Sequence, residues 1–485
     1  MLPVLDFVII AAYLALCVII GVKVGGKATD TASYFNSKGT IPWWAISLSI
    51  VAAETSMLTV ISIPVVAYKG SLVFLQIVAG YVVGRILVSF LMLPHYFSGE
   101  QQTAYTFFRQ RFGDKFRKTM SATFLVTRLF ADGIRIFAAA IPIKIITGFD
   151  YPVSIAIMGG LSLLYSFYGG LKSVIWIDVL QLIVYLSGGV FIVFQIFFGA
   201  PGPVFGDLME AGKLAVVTLP TSFGDIFFTD YNLIGAVLGG MFLTLASHGT
   251  DQLIVQKLLA CGDLKQARKA LIGSGIFVFF QFGLFLTVGL MLWTFHGGAE
   301  IAALGLANQD ELLLDYIAMH VPVGITGLII AGLFAAAMST VTGSLSALSS
   351  STLFDLFPSL AERPDAMSWS RGAMVVWATI FVLFATAFSL YFKSGDPIVI
   401  IALRIAGFTY GALLGAFFVG RFTTVGTVAA YAGFFTTIVV MAVVITLSMF
   451  VYKTGLAFPW YTAIGSAIYV ATALLVDKLH PAGKG

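Results

Sequence analysis

The stretch Ser49-Ile50-Val51-Ala52-Ala53-Glu54-Thr55-Ser56-Met57-Leu58-Thr59 sits inside an apolar run that extends from about residue 42 to 66. A bilayer takes roughly 20 apolar residues per helix, so the run is long enough to cross one. Yet its middle holds Glu54 with Thr55, Ser56 and Thr59, and a charge at that depth is costly unless it is paired or wet. A second run, near residues 231–257, is interrupted in the same manner by Ala246-Ser247-His248-Gly249-Thr250-Asp251-Gln252. Paired interruptions at corresponding positions of two halves point to a binding site at the membrane midplane. Small residues that merely permit close helix packing are the competing explanation, and it is weaker for the pair than for either segment alone.

Composition supports the membrane setting. The 485 residues are 59% hydrophobic and 10% charged, with a mean hydropathy of +0.98, whereas a soluble domain is about 25% charged. The apolar runs are long and uninterrupted rather than alternating, which excludes a β-barrel. Thirteen spans are expected, near 4–24, 42–66, 71–95, 118–147, 151–170, 173–199, 231–257, 269–295, 322–352, 370–393, 397–419, 425–451 and 458–477. The first starts at Leu2 without a basic flank and reads as a retained helix rather than a signal peptide. Cys17 and Cys261 suggest neither a disulfide framework nor a metal site.

With the N-terminus outside, 18 of the 27 Lys and Arg fall on cytoplasmic segments, against four outside and five within spans. Lys257, Lys265, Arg268, Arg363 and Arg421 are among the 18. This bias orients the chain, with a cytoplasmic C-terminus, in a plasma or inner membrane. Spans two to six (42–199) and seven to eleven (231–419) can be laid over one another as two sets of five. An odd number per set inverts the second, as in alternating-access carriers. Residues 425–477 would then be peripheral helices of a single transporter domain, 1–485.

The ninth span reads Gly332-Leu333-Phe334-Ala335-Ala336-Ala337-Met338-Ser339-Thr340-Val341-Thr342-Gly343-Ser344. Hydroxyls crowded on one turn, with carbonyls freed by a broken helix, suit a hard cation such as sodium. They equally suit bonds back to their own helix.

Three stretches together resemble the sodium:solute symporter family, which has the leucine-transporter fold. They are Gly169-Gly170-Leu171-Lys172-Ser173-Val174-Ile175-Trp176-Ile177-Asp178-Val179-Leu180-Gln181, Gly249-Thr250-Asp251-Gln252-Leu253-Ile254-Val255-Gln256-Lys257, and the Phe334–Gly343 segment. The resemblance, which takes in sodium/sugar and sialic acid symporters, implies a sodium site formed by the carbonyls of Ala52, Thr55 and Ala336 and the hydroxyls of Ser339 and Thr340. It also implies a second site in some members, matching Asp178, Ser339, Thr342 and Gly343. Gly343 replaces a serine of that pattern and removes one ligand. Asp178 is left with two roles, ion binding or organisation of neighbouring hydroxyls.

For the solute, Glu54, Ser56 and Thr59 lie at the first break, and Phe74 and Gln76 offer an aromatic face and an amide on the third span. Arg128, Asp132 and Arg135 share one face of the fourth span. They read either as an ion-pair ladder, with Asp132 between the arginines and Glu54 as a further partner, or as a clamp for a carboxylate. His248 is a structural hydrogen-bonder or a donor to solute. Arg404, with Tyr410 nearby, pairs with a pocket acid, snorkels or meets solute. Arg85 is expected in a structural salt bridge toward the cytoplasmic half.

The expected function is sodium-coupled symport of a small polar solute, sugar-like or a carboxylated polyhydroxy compound. An amino acid or short carboxylate is the alternative. The partners are then solute, sodium and lipid, with no nucleic acid, and the monomer is the functional unit. A sensor would carry an output domain, and only eight residues follow residue 477. A channel would show a filter loop. An enzyme would show a nucleophile–base pair, phosphate loop or metal-ligand spacing, and none emerges.

Overall fold

The computed structural model describes residues 3–25, 39, 41–98, 103–168, 171–200, 202–306, 308–391, 397–448 and 455–479. Gly169-Gly170, which open the first family stretch, and Lys27, Lys38, Lys393, Lys453 and Lys484 of the loop-charge count lie outside the described residues. No strand occurs among the described residues. The long helices are α1 (Val4–Gly25), α2 (Trp43–Glu54), α3 (Met57–Lys69), α4 (Leu75–Leu91), α5 (Asp114–Thr147), α6 (Tyr151–Tyr168), α7 (Leu171–Gly199) and α8 (Leu233–Gly249). They continue with α9 (Gln252–Leu259), α10 (Leu264–Phe295), α11 (Ile325–Ser351), α12 (Ala366–Tyr391), α13 (Ile398–Phe422), α14 (Thr427–Thr446) and α15 (Trp460–Leu479).

Among the described residues, nine helices are long and apolar enough to cross a membrane, or ten when the bent pair α2 and α3 counts as one. The expected count of thirteen exceeds this for two reasons. The apolar parts of α1 and α6 are shorter, Val4–Ile20 and Tyr151–Leu163, and α5 carries Arg128, Asp132 and Arg135 along its length.

Helix ends gather at two faces of the bundle. At one face Lys213 donates to the carbonyl of Tyr68 at 2.6 Å, Lys69 to Gln309 at 2.7 Å and the Tyr68 hydroxyl to the carbonyl of Ala299 at 2.7 Å. At the other, Arg111 donates to the carbonyls of Thr423 and Val425, Arg421 to His95, and the amide of Gly426 to Asp477. Helices α3 and α10 therefore end at the first face, and α4, α13 and α15 end at the second, where α5 and α14 begin.

Close approach depends on glycine. A Cβ on Gly240 of α8 would stand 2.2 Å from the carbonyl oxygen of Ile77 on α4, and one on Gly289 of α10 would stand 2.1 Å from that of Pro64 on α3. Without side chains there, these backbones pack almost in contact.

Both expected breaks are present. Helix α2 stops because Thr55 (φ −95°, ψ 73°) and Ser56 (φ −72°, ψ 174°) leave helical geometry, and α3 restarts at an angle of 64°. Helix α8 ends at Gly249 and α9 restarts with Asp251 as its N-cap, accepting from the amide of Leu253 at 3.0 Å.

Candidate functional site

The two breaks differ in how their loose polar groups are satisfied. A helix end leaves its last carbonyls without intrahelical partners. At the α8–α9 break, tyrosines take over: Tyr96 donates to the carbonyl of Gly249 at 2.5 Å and Tyr105 to that of Thr250 at 3.0 Å. At the α2–α3 break, the carbonyl of Thr55 receives only a long bond from Tyr185, at 3.5 Å. The hydroxyls of Thr55 and Ser56 are buried with no hydrogen-bond partner among the described residues. Burying such groups unsatisfied is costly, and a bound cation would satisfy the oxygens.

Opposite this break lies α11, buried along nearly its whole length. The Thr340 hydroxyl donates to the carbonyl of Ala336 at 3.0 Å. The Ser339 hydroxyl bonds Asp178 of α7, and so does that of Ser49 of α2. Asp178 thus ties α2 to α11 at Ser49, six residues before Thr55. The donor set of Ala52, Thr55, Ala336, Ser339 and Thr340 consists of carbonyls and hydroxyls on facing elements, which suits sodium.

The second candidate set assembles only in part: Ser339 bonds Asp178, whereas Thr342 has another partner. Thr342 donates to the carbonyl of Ser162 at 3.3 Å. A Cβ on Gly343 would meet the Leu253 side chain at 3.1 Å. The partner of Asp178 is Lys257, whose ammonium stands 2.8 Å from Oδ2. Lys257 is therefore not a cytoplasmic loop cation as the loop count assumed; it is on α9, 2% exposed.

A cavity of about 100 Å³ lies between the first break and α5, α8 and α13. Its walls include Leu58, Phe74, Leu243, Phe282 and Leu403, and its polar lining includes Glu54, Thr59, Arg135, Thr244, Ser247 and Tyr410. Phe74 stacks on Phe282 with ring centroids 5.5 Å apart.

Glu54, Thr59, Phe74 and Arg135 are thus brought together. Ser56 is buried beside them. The remaining candidates have structural partners. Glu54 is bonded to the fully buried Arg85, which also meets His248 at 3.1 Å. The salt bridge foreseen for Arg85 exists, with a partner in the cavity wall. His248 is held by Arg85, by Ser247 at 2.9 Å and near Glu54 at 3.7 Å, and it does not line the cavity. Gln76 does not reach the cavity either: its amide donates to the carbonyls of Val73 and Tyr231 and accepts from the amide of Thr218. Arg404 faces Asp230 at 3.8 Å, near the face that holds Lys69 and Lys213.

Asp132 does bridge both arginines, at 3.5 Å to Arg128 and 2.7 Å to Arg135. The further partner is Asp251, not Glu54. Arg128 donates to both Asp251 oxygens, at 3.2 and 2.5 Å, and Tyr410 donates to Oδ2 at 3.0 Å. Asp251 therefore caps α9 and pins it to α5 and α13. Its place three residues past His248 marked it as part of the interruption, but nothing local identified Arg128 as its partner.

A helical bundle with a bent helix break beside a small buried cavity has the architecture of a membrane carrier. Residues 34–433 match the Sodium:solute symporter family, and the chain belongs to that family. It is 24% identical to the sodium/sialic acid symporter of Proteus mirabilis over 99% of this chain and 96% of that protein. It is 26% identical to the human sodium/iodide cotransporter, covering 86% of this chain and 66% of that one. Identity to the Xenopus laevis sodium-coupled monocarboxylate transporter 1 is 25%, over 96% and 72%. A solved sodium-coupled sialic acid symporter in a substrate-bound outward-open state superposes with a TM-score of 0.85 at 25% identity, covering 98% of both chains. A closed nucleobase–cation symporter shares the fold, with a TM-score of 0.58 at 16% identity over 94% of this chain and 97% of that one. The fold is of the leucine-transporter type and the activity is sodium-coupled solute symport.

Proposed function

We propose that the solute is a small carboxylate with an apolar body, carried inward with sodium. The observation that supports this most is Arg135. Among the described residues lining the cavity it is the one cation, and its side chain keeps 20% exposure while only Nη1 is bonded to Asp132. A guanidinium with donors to spare suits a carboxylate. The apolar and aromatic walls suit a short hydrocarbon body. The case for a sugar rested on Glu54, Gln76 and Phe74. Arg85 occupies Glu54 and backbone groups occupy Gln76, which leaves Phe74 alone to support a sugar and favours a carboxylated compound. Relatives named for monocarboxylates and for sialic acid both carry carboxylates.

In this mechanism external sodium binds at Ala52, Thr55, Ala336, Ser339 and Thr340 and joins the broken α2–α3 to α11. Solute then binds beside Arg135 and Thr59. The repeats, 42–199 and 231–419, rock against each other and open the cytoplasmic side. Thirteen spans with the N-terminus outside rest on the apolar runs and on the loop-charge bias of the sequence. A thermal-shift screen of short carboxylates, sialic acid, neutral sugars and amino acids, in sodium and in choline, tests the assignment. Stabilisation by a short carboxylate in sodium alone is expected; stabilisation by a neutral sugar and by no carboxylate would overturn it.

A further inference from the structure

We infer that Lys257 is a tethered cation standing where a second sodium ion would bind, so that the carrier takes one sodium per cycle. The count of one rests on the sodium site proposed above; the role of Lys257 does not.

Three polar atoms surround the ammonium. Asp178 Oδ2 is 2.8 Å away, Ser49 Oγ 2.9 Å and the Ser49 carbonyl 3.0 Å. The other oxygen of Asp178 is bonded by Ser339. This is an anionic, oxygen-rich nest buried in the bundle, and both Lys257 and Asp178 are 2% exposed. A hard monovalent cation would choose the same atoms. Removal of the ammonium would leave Asp178 as an uncompensated buried charge, which a bundle does not tolerate without a replacement cation.

The packing beside the lysine is close. Leu253, one helical turn before Lys257 on α9, rests against Gly343, where a Cβ would come within 3.1 Å of it. A serine at 343 would add a hydroxyl there and press on the tip of the Leu253 side chain, which would have to give by a few tenths of an ångström. Glycine spares α9 that contact where it lies against α11, one turn from the lysine. A lysine on α9 also moves with α9, so its charge is not released into the cell at the end of a cycle. With a monovalent carboxylate as solute, one sodium per cycle makes transport electroneutral.

The test is equilibrium binding of radioactive sodium to the purified full chain, counted per molecule. Wild type is expected to bind one ion and Lys257→Gln two. The Asp178→Asn/Lys257→Gln pair, which has no buried charge to compensate and tests folding of the neutral site, is expected to return to one. Two ions on wild type would overturn the inference, and so would an unchanged count in folded Lys257→Gln. Thr340→Ala separates the two sites: it should lower the wild-type count by one. If wild type binds none but Lys257→Gln gains one, the first sodium site fails while the role of Lys257 stands.

Discussion

Arg135→Gln removes the one cavity-lining guanidinium and leaves the surrounding ladder largely supported. Asp132 is fully buried and still has Arg128 at 3.5 Å, so it is not orphaned. The fold then loses one charge-assisted hydrogen bond, about 1.5–3 kcal/mol. A bound carboxylate loses its buried ionic partner, which costs about 2–5 kcal/mol. At about 1.4 kcal/mol per decade, affinity falls roughly 30-fold at the low end. Isothermal titration of the detergent-purified protein with acetate, lactate, pyruvate and butyrate in sodium measures this. Arg135→Lys keeps the charge without the bidentate fork and should fall between wild type and Arg135→Gln. Undiminished carboxylate affinity in folded Arg135→Gln would refute the assignment, as would a neutral isostere that binds wild type equally well.

Other expectations separate structure from transport. Arg128→Met strands Asp251, which is 0% exposed, and should destabilise by about 3–5 kcal/mol; thermal melting checks this, and adding Asp251→Asn should recover part of the loss. Asp310, outside the long helices, is pushed up to about 6, chiefly by burial, against the Ser62 hydroxyl, the Ile398 amide and Lys69. Its folded value lies above the unfolded one, so stability should decline as pH rises from about 4 to 6 and level off above. Asp310→Asn should flatten that melting profile. Under electroneutral coupling, an imposed potential should leave carboxylate uptake unchanged, whereas a second sodium would add about 2.3 kcal/mol per 100 mV, readable as a voltage-dependent accumulation ratio in proteoliposomes.

The elements were largely legible in sequence because their signals are local. Apolar runs marked the helices, and Glu54-Thr55-Ser56 and Gly249-Thr250-Asp251 marked the breaks. The i, i+3 and i, i+4 spacing in α5 revealed Asp132 between its arginines. The missed contacts join residues far apart in the chain. Arg128 meets Asp251, Arg85 meets Glu54 and Lys257 meets Asp178, and helical periodicity says nothing about which faces meet. Lys257 was misplaced for a related reason. It ends an apolar run, which resembles a loop boundary, but α9 is a short half-helix that remains inside the bundle. Gln76 illustrates the opposite error: a polar residue on a cavity-facing helix was assigned to solute when backbone groups of Tyr231 and Thr218 already used its amide.

The most direct measurement of the central claim is carboxylate accumulation in proteoliposomes under an inward sodium gradient, for wild type and Thr340→Ala. Wild type should concentrate solute above the external level in sodium and not in choline, and Thr340→Ala should lose that accumulation while remaining folded. Equal accumulation without sodium, or full sodium dependence in Thr340→Ala, would contradict coupling through the oxygens between the α2–α3 break and α11.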